Sequence, residues 1–163
     1  MTPLVLVAAF TLAFQQDTAT KPKVQDCPMH DAHSQMNERG ERAMGFSQTT
    51  TTHHFLLKPD GGVIQVEVKD AKDKENRDNI RTHLRHIAKL FAEGDFDIPM
   101  FVHDSVPPGV TEMKQLQERI HYTFEEKPNG GCVIIATADK RAIDAIHRFL
   151  RFQIQEHHTG DSQ

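Results

Sequence analysis

Two hydrophobic periods, one suited to strands and one to helices, follow each other along this chain, and they do so twice. In His53 to Val68 (HHFLLKPDGGVIQVEV) and in Tyr122 to Thr137 (YTFEEKPNGGCVIIAT), β-branched and aromatic residues flank a Pro-Asx-Gly-Gly step. Proline presets φ for the first turn position, Asp or Asn tolerates the left-handed region, and glycine supplies positive φ. Each stretch therefore predicts a β-hairpin. Ile80, Leu84, Ile87 and Phe91 follow the first at helical spacing, and Ile143, Ile146, Leu150 and Ile154 follow the second. The copies align at Phe55/Phe124, Lys58/Lys127, Pro59/Pro128, Gly61/Gly130 and Gly62/Gly131, and their helices at Leu84/Leu150.

The pattern predicts an α+β fold built from a tandem ββα repeat: one four-stranded antiparallel sheet, both helices on one face, the other face open. Strands are expected near 50–57, 63–69, 119–126 and 132–137, and helices near 76–92 and 139–156. Asp78 is expected to cap the first helix, and Gly61 and Gly130 to adopt positive φ. Strand parity puts His53 and Phe55 on one face and His54 and Leu56 on the other. Because the equivalent strand places Tyr122 and Phe124 together, His53 should face the core and His54 should face away. On the same count Cys132 and Ile134 lie opposite Val133.

Residues 1–14 (MTPLVLVAAFTLAF) form an apolar run shorter than a bilayer span and lacking basic residues before it. It resembles the central region of a secretory signal and predicts a periplasmic or secreted protein, an uncleaved membrane anchor being the alternative. Residues 15–48 show no regular period and are expected to be a polar tether and loop. The repeat occupies 49–156, and residues 157–163 are expected to fray. Between the repeats, residues 96–117 hold Pro107, Pro108 and Gly109, which predicts a long irregular connection acting as a cover.

Composition adds one signal and removes several. The net charge is −4 with pI near 6.2, and no basic block is present, so nucleic acid is not an expected partner. Histidine, at 11 residues, is abundant; it implies metal binding, pH sensing or a solvated surface, according to position. The chain lacks GxGxxG, Walker A, HExxH, GxSxG and CxxCH motifs, which removes covalent c-type haem while leaving non-covalent haem open.

Cys27, Met29, His30, His33 and Met36 gather thiol, thioether and imidazole within ten residues, a donor set suited to copper and acceptable to zinc. The letters CPMH, starting at Cys27, resemble the opening of the short heavy-metal-binding segments of bacterial copper and heavy-metal export systems. The later cysteines of those segments are absent. Cys27 and Cys132, the only two cysteines, either pair in an oxidising compartment or leave Cys132 as a buried thiol.

Comparing the repeats is more informative. His53, His83 and His86 stand where the second copy has Tyr122, Phe149 and Phe152. Either the imidazoles fill aromatic slots, or one copy carries a polar site. The sharper expectation is a transition-metal site, copper first and zinc second, formed by His53 and His83. His86 and His103 complete it, with help from Cys27, Met29, His30 and His33. Its role would be sequestration or delivery. A metal- or haem-dependent enzyme is the runner-up, and a homodimer through the open sheet face, with structural histidines, is the reading from a different class.

Overall fold

The computed structural model describes residues 28–163, with side chains from residue 34 onward. The elements are α1 (Pro28–Met44), β1 (Thr51–Lys58), β2 (Gly61–Val68), α2 (Lys74–Ala92), α3 (Asp97–His103), α4 (Val110–Gln115), a 3-10 turn (Gln117–Arg119), β3 (His121–Lys127), β4 (Gly130–Ala136) and α5 (Lys140–Glu156). The strands form one antiparallel sheet in the order β1-β2-β4-β3. The two hairpins meet through their second strands. Their register runs from Gly61 opposite Ala136 to Glu67 opposite Gly130 and is centred on Ile64 opposite Val133, two residues that occupy the same place in the two hairpins.

Parity along the strands decides which face is covered. Phe55, Ile64, Val66, Val133 and Ile135 are buried together with Ile80, Leu84, Phe149 and Leu150 of the two long helices. Both helices therefore cover one face. They cross over: α2 lies mainly on β3 and β4, and α5 on β1 and β2. Each helix thus covers the other unit's hairpin, which ties the two units into a single core. On the opposite face Leu56, Val63 and Ile134 are half-buried, and Cys132 is a buried free thiol whose pKa burial raises. Cys27 and the apolar run 1–14 lie outside the described residues. No helix among the described residues is long and apolar enough to cross a membrane.

Several expectations need correction. Positive φ falls on Gly61 (143°) but not on Gly130. Gly130 is required by crowding instead, since a Cβ there would meet the Val66 carbonyl oxygen. Asp73, not Asp78, caps α2, accepting from the Asn76 amide at 3.1 Å, and the helix starts at Lys74, slightly earlier than expected. Asp78 pairs with Arg77 on the surface.

Residues 28–44, expected as loop, are helical. The apolar stripe of α1 passes through Met36, Gly40 and Met44, and the glycine hides the period. Gly45, at φ 76°, ends the helix, and Arg39 anchors it to the Val102 carbonyl at 2.9 Å. In the connection the prolines separate two short helices rather than abolish them. Left-handed Asp104 (φ 51°) stops α3, and Gly109 (φ 89°) starts α4.

The tail does not fray. Asp161, with its side chain 10% exposed, accepts from the Phe55 amide at 2.8 Å and lies 2.9 Å from His54 Nδ1. It caps the outer edge of β1, an edge that would otherwise offer unpaired backbone groups.

Candidate functional site

The space between α2 and α5 above β1 and β2 does not close completely. Large apolar side chains fill it near β3 and β4, where Phe91 stacks on Phe96 at 4.3 Å and meets Tyr122 and Phe149 edge-on. Toward β1 the corresponding places hold His53 and His83, and there a cavity of about 80 Å³ remains, enough for a few waters or one small ligand. The C-terminal end of α1 and the helix α3 complete its wall, contributing Met44 and His103, and the last turn of α5 contributes Gln153 and His157.

Each imidazole is delivered by a different element. His53 comes from the inward face of β1 and His83 from α2. His103 ends α3, and His157 caps the C-terminus of α5. The rings form a chain. His53 stacks on His157 with centroids 5.7 Å apart and planes 11° from parallel, and His157 meets His103 edge-on at 5.2 Å. On the other side Phe46 lies between His53 and His83, at 6.1 and 5.7 Å.

Burial keeps three of these imidazoles, His53, His83 and His103, neutral near pH 7. Burial, reinforced by His54, lowers the His53 pKa to about 4. Burial also lowers His83 to about 4, with contributions from His53 and His86. His103 is lowered too, again chiefly by burial; the Gln153 hydrogen bond and Glu156 work in the opposite direction. The mechanism is the same throughout: a cationic imidazolium loses its hydration in an apolar wall.

Three buried polar atoms here have no hydrogen-bond partner: His53 Nε2, His103 Nδ1 and Gln153 Nε2. Buried polar groups are seldom left so, because an unmade hydrogen bond costs roughly 1–3 kcal/mol. Three orphans around one small cavity mark a place where an occupant would be stabilised.

The expected residues are thus partly assembled. His53, His83 and His103 line one cavity, while His86 lies exposed on α2 outside it. Met29, His30 and His33 sit at the far end of α1, and their side chains lie outside the description. His33 precedes Met44 by eleven positions, which in a helix is about 16 Å. Sequence reasoning missed His157, Met44 and Gln153. His157 was legible as a continuation of the α5 apolar stripe, one turn beyond Gln153; Met44 and Gln153 carried no comparable signal.

Among the described residues, no group of three or more His, Cys, Asp and Glu side chains stands in metal-holding geometry. The rings are adjacent, but their nitrogens do not converge on one point. No protein-family model matches the chain, and neither a curated protein nor a solved structure does.

Proposed function

We propose that this is an exported transition-metal-binding protein, copper before zinc, whose site is the histidine pocket and whose role is sequestration or delivery. The observation that carries the reading is the set of unpaired nitrogens on imidazoles held neutral by burial, since a neutral imidazole lone pair is the form that binds a cation. Metal–nitrogen bonds of about 2 Å at a tetrahedral angle set two ring centres roughly 5 Å apart. The His53–His157 and His157–His103 spacings of 5.7 and 5.2 Å are close to that distance, so rotation of the His53 and His157 rings toward a fixed His103, rather than backbone movement, would bring the nitrogens together. Met44 adds a thioether to the same wall, a soft donor that favours copper over zinc.

Non-covalent haem fits less well, because a cavity of about 80 Å³ is far smaller than a tetrapyrrole. Export rests on the apolar run at 1–14. We read the two ββα units as copies of one ancestral unit, the first of which acquired the site.

Calorimetric titration of protein prepared without an affinity tag, with Cu(I), Cu(II) and Zn(II), tests the reading. One equivalent should bind tightly, and His53→Phe and His103→Phe should each abolish tight binding with the circular dichroism unchanged. No tight binding by the parent, or parental binding in both variants, removes it.

A further inference from the structure

We infer that Gln153 is the positioning residue of this pocket: it holds His103 as the Nε2–H tautomer, so that Nδ1 is the atom His103 presents to a bound ion. The inference rests on the metal-binding reading above.

Gln153 sits in the last turns of α5 and is 4% exposed, among the few buried polar residues of the core. Its Oε1 lies 2.9 Å from His103 Nε2. An amide oxygen is an acceptor only, so this contact requires the proton on Nε2 and leaves Nδ1 with its lone pair. The His103 side chain is 1% exposed and its Nδ1 has no hydrogen-bond partner. The nearest carboxylate oxygen, from Glu156, is 3.9 Å away, beyond hydrogen-bond reach.

The backbone supports the arrangement from both sides. Arg39 holds the Val102 carbonyl one residue before His103, and left-handed Asp104 fixes the chain one residue after it. The ring is thus placed by its neighbours, and its tautomer is chosen by Gln153. Ligating histidines commonly have their second nitrogen held this way, and loss of such a partner weakens metal binding by roughly ten- to hundredfold.

Two substitutions separate positioning from packing, because the two roles predict opposite orders. If Gln153 merely fills space in an apolar wall, Gln153→Leu should be the mild change and Gln153→Glu the harmful one. If it positions His103, Gln153→Glu retains an oxygen acceptor and should keep metal affinity within a few-fold of the parent. Gln153→Leu should then lose roughly ten- to hundredfold while staying folded. The reverse order overturns the inference.

Nitrogen-15 NMR of the imidazoles in the metal-free parent supplies a readout that does not depend on either variant folding. His103 should show a protonated Nε2 and a bare Nδ1; a protonated Nδ1 overturns the inference even if the parent binds metal. A parent with the expected tautomer that binds no copper or zinc overturns the ligating role together with the proposed function, and so the two failures are distinguishable.

Discussion

His53 and Tyr122 occupy the same place in the two hairpins, and the difference between them is measurable as a pH dependence. In the unfolded chain an imidazole titrates near 6.5, whereas His53 and His83 do so at about 4 in the folded protein. Between those values the unfolded state binds more protons than the folded one, so stability rises with pH across this window. Above pH 6.5 the penalty is absent; at pH 4 each residue should have withdrawn on the order of 3 kcal/mol. Urea melts at pH 7 and pH 4.5 check this. His53→Phe and His83→Phe should each flatten the difference, and at pH 7 His53→Phe should be neutral or stabilising, because it removes an unpaired buried nitrogen. An equally steep pH dependence in the double variant would show that other groups cause it. Laying the two ββα stretches over each other reveals these positions in the sequence. The partner of His103 is not revealed, because Gln153 is fifty residues away and only the fold brings them together.

Among the elements, the hairpins and long helices are legible because pattern and local chemistry agree. The turn step sits between β-favouring runs, and both helices carry an uninterrupted apolar stripe. Legibility fails where a glycine or proline does something nonlocal. Gly40 breaks the α1 stripe by being the small residue on its buried side, where a Cβ would meet the Gln48 side chain. Gly109, read as a breaker, starts α4 at a left-handed φ and lies against the backbone of α5, where a Cβ would meet the Ala145 carbonyl oxygen. Gly61 joins the same two features, positive φ and a Cβ path into the Ile135 carbonyl. Alanine at Gly61 or Gly109 should therefore cost more than conformational strain alone, roughly 2 kcal/mol or more. At Gly130, with contact but no positive φ, the loss should come from displacement of the β2–β4 pairing. Thermal melts of the three single variants check the series, with the smallest loss expected at Gly130; a Gly61 variant melting with the parent would refute the close approach.

For the molecule as a whole, the crossing of α2 and α5 over each other's hairpins makes the sheet and its cover one cooperative unit, and the chain after α5 caps the β1 edge. The carboxylate of Asp161 takes the Phe55 amide and the Thr159 hydroxyl at 2.8 and 2.7 Å and faces His54. Burial alone would raise its pKa, but the hydrogen bonds from Thr159, His54 and Phe55 outweigh that and leave it below the ordinary carboxylate value. A depressed folded pKa means that this contribution is present above the unfolded value near 4 and fades as pH falls through the folded one. Asp161→Ala strips an acceptor from a backbone amide of an edge strand and should cost about 1–3 kcal/mol. His157, four residues earlier, stacks on His53 and meets His103 edge-on, so loosening the tail should also weaken copper binding, whereas Asp144→Ala, on the exposed side of α5, should leave it unchanged. Hydrogen exchange locates the effect: in Asp161→Ala the β1 amides around Phe55 should exchange faster, while those of β4, in the middle of the sheet, follow only the global loss of stability. Uniform acceleration across all four strands would mean that Asp161 acts on the whole fold rather than on the edge.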